Sequence, residues 1–127
     1  MSKRILVIED QEDNRRILRD LLTSADFEVI EAVDGEAGLA TAATHRPDLI
    51  LMDIQLPGLD GYEATRRIKA DAALRAIPVI AVTSYGLAGD ADKAFAAGCD
   101  AYISKPYSPR QLLAKVRDYL SSPAPTR

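Results

Sequence analysis

The sequence predicts an α/β protein in which a five-stranded parallel sheet is covered by helices on both faces. Five short, mostly apolar runs of strand length alternate with five segments of helical periodicity. Strand–helix–strand units of this kind join parallel strands through right-handed crossovers. The central runs are apolar at consecutive positions, which is typical of strands buried on both faces. The expected arrangement is a doubly wound (βα)5 sheet with the flavodoxin-like strand order 2-1-3-4-5.

The five predicted strands are recognised by their apolar character and by their length. They span residues 5–8, 27–30, 49–52, 79–82 and 101–103. In a parallel sheet every strand points the same way, so residues that follow the strands gather at one edge. The order 2-1-3-4-5 would make strands 1 and 3 neighbours at the topological switch point.

The five predicted helices each carry an apolar face. The residues that mark these faces are Leu18, Leu21, Leu22 and Ala25; Ala37, Ala40 and Ala43; Ala64 and Ile68; Ala91, Ala94 and Phe95; and Leu112, Leu113, Val116, Tyr119 and Leu120.

Capping residues mark several helix ends. Asp34 is a candidate N-cap for the second helix, and Asp60 with Glu63 predicts the start of the third. Gly98 is expected to close the fourth. Ser108, Pro109 and Gln111 predict the start of the fifth with an N-cap, a first-turn proline and a capping box.

Composition and length indicate one soluble domain. We expect it to span residues 1–121, with residues 122–127 as a disordered C-terminal tail because they are small, polar and proline-bearing. The net charge of -3 argues against nonspecific nucleic-acid binding. No signal peptide and no membrane span is recognisable. The single cysteine, Cys99, is expected to be a small buried residue in a cytoplasmic protein.

Polar residues stand at the ends of four predicted strands. Glu9 and Asp10 follow the first, Asp53 the third, Thr83 the fourth and Lys105 comes just after the fifth. Carboxylates gathered at one edge repel one another unless a cation lies between them. Magnesium is the natural candidate, since it prefers oxygen ligands and often binds carboxylates together with a phosphate. The set therefore predicts a magnesium and phosphate site.

With magnesium present, Asp53 becomes a candidate nucleophile toward phosphorus, forming an aspartyl phosphate. Such a transfer needs the charge on the equatorial phosphoryl oxygens to be neutralised. Lys105 can bind one oxygen, and the Thr83 hydroxyl together with backbone N–H groups can bind another.

Taken together, these motifs resemble the response-regulator receiver domain of two-component signalling, from about residue 4 to 121. The matching elements are Glu9-Asp10, residues 48–57 around Asp53, Gly61, Thr83, Tyr102 and Lys105-Pro106. Residues 53–57 and 98–106 are most similar to single-domain members of the family.

The resemblance implies that Asp53 accepts phosphate from a phosphohistidine. It also implies that Glu9, Asp10, Asp53 and the main-chain carbonyl of Gln55 arrange the magnesium. Thr83 and Tyr102 would form the switch, and the Lys105-Pro106 bond would be cis.

Three positions are expected to tune the lifetime of the phosphoryl group. Gln55 and Tyr85 occupy the two positions that vary in this family and set the rate of phosphate loss. Ser84 places a second hydroxyl beside Thr83, where many members have alanine. Because Gln55 is neutral and Tyr85 is bulky, we hypothesise that self-dephosphorylation is slow.

Simpler interpretations of single residues remain open. Asp53 could form a turn, Thr83 could be only a strand former, Glu9 could face solvent and Tyr102 could be a packing residue. His45, the only histidine, is expected to be exposed and inert, so that another protein must donate the phosphoryl group.

The predicted function is a stand-alone phosphoacceptor switch rather than an enzyme. Its partners would be a histidine kinase or histidine phosphotransfer protein and a downstream protein target, and it would be a monomer or a weak phosphorylation-linked dimer. One alternative is a magnesium-dependent phosphohydrolase with an aspartyl nucleophile. It is disfavoured because Gln55 replaces the second acid–base group. The other is a receiver-like binding module that takes no phosphate, which the complete residue set disfavours.

Overall fold

The computed structural model describes residues 3–83 and 90–121 and confirms the predicted parallel sheet. The strands are β1 (Arg4–Ile8), β2 (Glu28–Ala32), β3 (Leu49–Asp53), β4 (Val79–Thr83) and β5 (Ala101–Ser104). They lie in the order β2-β1-β3-β4-β5, and every neighbouring pair is parallel. The helices are α1 (Glu12–Ser24), α2 (Gly35–His45), α3 (Gly61–Ala70), α4 (Asp90–Ala97) and α5 (Pro109–Ser121).

The sheet separates two apolar layers, as the predicted doubly wound fold requires. Side chains of α2, α3 and α4 pack on one face of the sheet, with Ala42, Ile68 and Ala94 among the buried residues. Side chains of α1 and α5 pack on the other, with Leu22 and Leu112 among them. The strands β1, β3 and β4 contribute alternate residues to the two layers, which explains why their sequences are apolar at every position.

The predicted second strand ended too early. It was placed at residues 27–30, but β2 runs from Glu28 to Ala32 and Phe27 precedes it. The apolar pattern is interrupted by Glu31, whose partly buried carboxylate is paired with two arginines of α1. The end of this edge strand was therefore missed, because a charged residue continues the strand by pairing with residues distant in the sequence.

The predicted face of α2 was only partly right, since Ala37 packs against the core but the other two residues do not. Ala40 and Ala43 are exposed, and the residues of α2 that are buried are Gly35, Gly38 and Ala42. A Cβ on Gly38 would lie 2.5 Å from Cδ1 of Ile8, so the lack of a side chain lets α2 approach β1 closely. Because alanine occurs all around this helix, alanine spacing carried no directional signal.

In α4 the expected apolar face was only partly right. Ala94 is buried, but Phe95 is 52% exposed. The second inward position on the helix is Ala97. In α5 the apolar face was largely right, with Leu112 and Val116 buried, although Tyr119 is 36% exposed and its hydroxyl donates to the carbonyl of Asp100.

The predicted caps are confirmed. The side chains of Asp34, Asp60 and Ser108 accept from the backbone N–H three residues later, at 2.7, 2.9 and 3.0 Å. Gln111 completes the capping box by accepting from the N–H of Ser108 at 3.2 Å. Gly98 ends α4 with a φ of 107°, a conformation that favours glycine.

Cys99 is buried, as predicted. Within residues 3–83 and 90–121, no helix is both long and apolar enough to cross a membrane. The proposed tail, residues 122–127, lies outside the described residues, as do Ser84 and Tyr85.

Candidate functional site

The predicted site residues meet at the carboxyl edge of the sheet. β1 and β3 are neighbours, with Ile8 opposite Met52. The residues that follow this pair are therefore brought side by side: Glu9 comes directly after β1, and Asp53 is the last residue of β3. The N–H of Glu9 donates to the carbonyl of Ala32 at 3.1 Å, which fixes the start of the loop against the end of β2.

Glu9, Asp10 and Asp53 form an acidic cluster in which one carboxylate oxygen of each lies within 4.8 Å of the others. Glu9 is 2% exposed and Asp53 is 5% exposed, whereas Asp10 is partly open to solvent. The interpretation of Glu9 as a solvent-facing neighbour of Asp10 is therefore wrong. The predicted gathering of these carboxylates at one edge of the sheet agrees with this geometry.

The pKa of Asp53 is raised to about 7. The largest cause is burial, which disfavours the ionised carboxylate, and the nearby negative charge of Glu9 adds to it. A hydrogen bond from the N–H of Gln55, at 3.1 Å to Oδ1, and the charge of Lys105 lower the pKa in the opposite direction. Without a cation, the site therefore holds Asp53 close to its titration point at neutral pH.

Lys105 lies inside the acidic cluster. Its Nζ is 3.3 Å from Oε1 of Glu9, and its side chain is 22% exposed. The backbone N–H of Lys105 donates to the carbonyl of Thr83 at 2.7 Å, which fixes the residue to the end of β4. The Lys105-Pro106 peptide bond is cis, as the resemblance implied. The side chain of Lys105 is therefore paired within the site rather than simply solvated.

Thr83 and Tyr102 lie on the neighbouring strands β4 and β5. Thr83 is the last residue of β4, is 3% exposed and pairs in register with Ser104. Tyr102 is opposite Ala81 and is half-buried against the layer formed with α2, α3 and α4. This position agrees with the packing interpretation of Tyr102, and its role in a switch stays a prediction.

The turn after Asp53 is shaped by tight backbone contacts. The N–H of Ile54 donates to the carbonyl of Val82, and the N–H of Gly61 donates to the carbonyl of Ile54. The side chain of Gln55 is exposed. A Cβ on Gly61 would lie 2.5 Å from the carbonyl oxygen of Asp53 and 2.6 Å from Cα of Ile54. Only glycine allows α3 to begin so close to the end of β3.

Gly61→Ala is therefore expected to destabilise the fold by about 1–3 kcal/mol, because backbone atoms must move to admit the methyl group. It should also slow any reaction of Asp53, whose carbonyl is one of the displaced atoms. Gly38→Ala is the control, since the three atoms nearest its Cβ would all belong to the flexible side chain of Ile8 and none to the backbone. Urea unfolding and the rate of phosphoryl uptake test this. A Gly61→Ala protein with unchanged rate and stability would contradict it.

One residue that the sequence analysis did not single out reaches the site from α1. The guanidinium of Arg15 donates to the carbonyls of Glu9 and Asp10 at 2.9 and 3.2 Å. Its Nε lies 3.3 Å from Oε1 of Glu31 on β2. The contact with Glu31 could not be predicted from the sequence, because Arg15 and Glu31 are 16 positions apart and meet only when β2 pairs with β1.

The donor set fits magnesium. Three carboxylates converge, two of them nearly inaccessible to solvent, and such oxygen ligands suit Mg²⁺ better than softer metals. Among residues 3–83 and 90–121, no other group of three or more acidic, histidine or cysteine side chains is close enough together to hold a metal ion.

Comparison with known proteins agrees with the geometry. The model of the response regulator receiver domain family matches residues 5–117. The polar-differentiation response regulator DivK of Brucella anthropi is 45% identical over 120 residues, covering 94% of this chain and 98% of that protein. DivK of Brucella ovis is 44% identical over the same length, with the same coverage.

Solved structures have the same fold. A response regulator from Chloroflexus aurantiacus superposes with a TM-score of 0.93 at 28% identity, covering 96% of this chain and 100% of that one. The receiver domain of the sensor histidine kinase PA1611 from Pseudomonas aeruginosa superposes with a TM-score of 0.90 at 35% identity and the same coverage. That structure holds a magnesium ion in its active-site cleft.

Proposed function

Because this chain belongs to the response regulator receiver family, we propose that it works as a phosphorylation-dependent switch with Asp53 as the phosphoryl acceptor. The observation that carries the proposal is the position of Asp53. It is a nearly buried carboxylate at the end of β3, clustered with Glu9 and Asp10 and approached by Lys105. Burial and the like charge of Glu9 both oppose ionisation of Asp53, so this arrangement lowers the stability of the folded protein. A carboxylate kept at such a cost is typical of a functional site.

In the proposed reaction a carboxylate oxygen of Asp53 forms a bond to phosphorus while the bond from phosphorus to the donor breaks. The product is an aspartyl phosphate, and the electron pair of the broken bond stays with the donor. The ammonium group of Lys105 would leave Glu9 and bind a phosphoryl oxygen as a point charge. The Thr83 hydroxyl would bind a second oxygen, and the N–H of Gln55 holds Asp53 in place.

Glu9, Asp10 and Asp53, with the main-chain carbonyl of Gln55, would hold Mg²⁺, which when bound would offset the charge of the carboxylates and of the transferred group. The protein's own contribution is to hold these groups rigidly at the ends of strands. Lifetime tuning by Gln55, Ser84 and Tyr85 belongs to the same proposal. The absence of a carboxylate at Gln55 favours slow self-dephosphorylation over hydrolase turnover.

The phosphoryl donor must be another protein or a small acyl phosphate. His45 is the last residue of α2, and its carbonyl accepts from the side chain of Arg4 at the start of β1. His45 therefore lies at the amino edge of the sheet, opposite the site. A histidine kinase or histidine phosphotransfer protein is the donor that family membership favours.

The output is proposed to be a change in protein contacts. Phosphorylation adds a charge of about -1.5 to -2 and strong hydrogen-bond acceptors. Movement of Thr83 toward the new group would leave room for Tyr102 to turn inward and change the surface near β5. A downstream protein would bind that surface, with any dimer weak and linked to phosphorylation.

The proposal places the protein in the cytoplasm, which suits the buried free thiol of Cys99.

Incubation with acetyl phosphate and Mg²⁺, followed by intact mass measurement, tests the function. The wild-type protein is expected to gain the mass of one phosphoryl group, and EDTA should prevent the gain. No gain on the wild type would contradict the proposal and favour a binding module that takes no phosphate. Steady release of phosphate from simple phosphomonoesters without a lasting adduct would favour the hydrolase alternative.

A further inference from the structure

We infer that Arg15 is a positioning residue that holds the Glu9–Asp10 corner in the geometry the metal site needs. The inference rests on the proposed function, because it concerns the same acidic site. In the described part of the chain, Arg15 forms no hydrogen bond or ion pair with the carboxylates of Glu9, Asp10 or Asp53. Its contacts with the corner are to main-chain carbonyls.

The corner needs such a contact because it belongs to no regular element. β1 ends at Ile8 and α1 begins at Glu12, so the carbonyls of Glu9 and Asp10 lie outside the ladder of the sheet and the body of the helix. Carbonyl groups in a partly buried turn need hydrogen-bond donors. One guanidinium nitrogen of Arg15 donates to both of them and so ties the corner to the second turn of α1.

A third contact fixes the guanidinium. Oε1 of Glu31 on β2 lies 3.3 Å from Nε of Arg15, and Oε2 of the same carboxylate lies 2.9 Å from Nη1 of Arg19. The side chain of Arg15 is 15% exposed, and that of Glu31 is 27% exposed. A planar guanidinium can contact two carbonyls and a carboxylate at once, which a lysine cannot do with the same geometry. The corner is therefore connected to α1 and to β2 by one side chain.

Two possible roles of Arg15 predict opposite changes in Mg²⁺ affinity when its side chain is removed. If Arg15 acted only as a nearby positive charge, its removal would strengthen the binding of a divalent cation. If it positions Glu9 and Asp10, its removal will weaken that binding. Because Glu31 already offsets the charge of Arg15, we expect the positional effect to dominate.

Arg15→Met is expected to raise the apparent Kd for Mg²⁺ by roughly 10- to 100-fold, the range seen when a group that supports metal ligands is lost. Arg15→Lys should recover part of the affinity. Arg16→Met is the matched control, since Arg16 is the next residue of α1, carries the same charge and has a side chain that is 56% exposed. Calorimetric titration of Mg²⁺ into each variant gives the affinities.

Amide hydrogen exchange in EDTA provides a second readout that needs neither metal nor phosphate. The N–H of Gln11 donates to Oε2 of Glu9 at 3.0 Å, so its exchange reports the order of the corner. It should accelerate in Arg15→Met and stay unchanged in Arg16→Met. If Arg15→Met fails to fold, Arg15→Lys must still show an intermediate change in both measurements.

Unchanged exchange, or Mg²⁺ binding that is unchanged or tighter in the Arg15 variants, would overturn the inference. These outcomes are distinct from failure of the proposed function. That failure would appear in the wild-type protein, as no uptake of phosphate from acetyl phosphate, while the exchange experiment would still show whether Arg15 orders the corner.

Discussion

Asp53→Asn is expected to abolish phosphoryl uptake and, in EDTA at pH 8, to make the folded protein more stable than the wild type. The loss of uptake follows because an amide cannot form the acyl phosphate. The gain in stability follows from the environment of the carboxylate, which is 5% exposed and lies beside the charge of Glu9. Asn removes the charge while keeping the shape and an oxygen that can accept from Gln55.

The pH dependence of this gain has a definite sign. The pKa of Asp53 is raised from 3.8 to about 7 in the folded protein. Between these values the folded state binds a proton that the unfolded state has lost. The free energy of unfolding of the wild type therefore decreases as the pH rises from about 4 to about 7. Asp53→Asn lacks this decrease, so its advantage should be largest at pH 8, clearly smaller at pH 5 and nearly absent only below pH 4.

A shift of this size corresponds to about 4 kcal/mol as an upper bound. Because Asp53 and Glu9 share the same unfavourable charge and can relax together, we expect a gain of about 1–3 kcal/mol at pH 8. Urea unfolding in EDTA at pH 5 and pH 8 measures it. Asp20→Asn, on the exposed surface of α1, is the control with the same charge change. An Asp53→Asn protein that is less stable than the wild type at pH 8 would show that the ionised carboxylate does not destabilise the fold.

A functional carboxylate that destabilises the fold also stands out in the sequence, and this made the site predictable. A charged residue at the end of a buried strand conflicts with the hydrophobic pattern, and four strands showed polar residues at the same end. Parallel strands share one carboxyl edge, so the pattern, together with the strand order inferred from the fold class, predicted one site. Its residues are Glu9, Asp10, Asp53, Thr83 and Lys105. The structure places Glu9, Asp10, Asp53 and Lys105 in one cluster and Thr83 on the adjoining strand.

The helix caps were predictable for a similar reason, because each depends on residues three positions apart. Asp34, Asp60 and Ser108 form hydrogen bonds within their own first turns, so no tertiary information was needed. The faces of α2 and α4 were harder to predict. Both helices are rich in alanine, which fits either side. In α2 the buried side is the one on which Gly38 lies close to Ile8.

Contacts between residues distant in the sequence were not predictable. The pairing of Lys105 with Glu9 joins residues 96 positions apart. The link between Arg15 and Glu31 depends on the register of β1 and β2, and the same link obscured the end of β2. The sequence therefore indicated which chemical groups share the site but not which groups hold one another before phosphate arrives.

That pairing leads to the second prediction of large effect. Lys105→Met is expected to slow phosphoryl uptake from acetyl phosphate by about 10²- to 10³-fold, the usual cost of losing one group that stabilises transition-state charge. Met keeps the length and apolar stem of lysine but cannot bind a phosphoryl oxygen. Time courses of intact mass at saturating Mg²⁺ and pH 8 measure the rate. Lys93→Met, on the exposed surface of α4, is the control for the loss of one charge.

The same variant should bind Mg²⁺ at least as tightly as the wild type at pH 8. In the metal-free protein Lys105 lies 3.3 Å from Oε1 of Glu9, so a cation must compete with the ammonium group for this carboxylate. Removing the ammonium group frees Glu9 and leaves the cluster more negative. Burial of Glu9 without its partner is expected to cost about 1–3 kcal/mol of stability without metal, which urea unfolding will show.

The two measurements separate two roles for Lys105. If uptake falls while Mg²⁺ affinity is kept, Lys105 acts on the phosphoryl group, and its pairing with Glu9 is a resting contact that phosphate displaces. If uptake and affinity fall together, Lys105 acts by holding Glu9 in place for the metal. Uptake within twofold of the wild type would exclude both roles and leave the lysine as a structural partner of Glu9. The first result is expected, because the N–H of Gln11 still donates to the Glu9 carboxylate and holds it in place without Lys105.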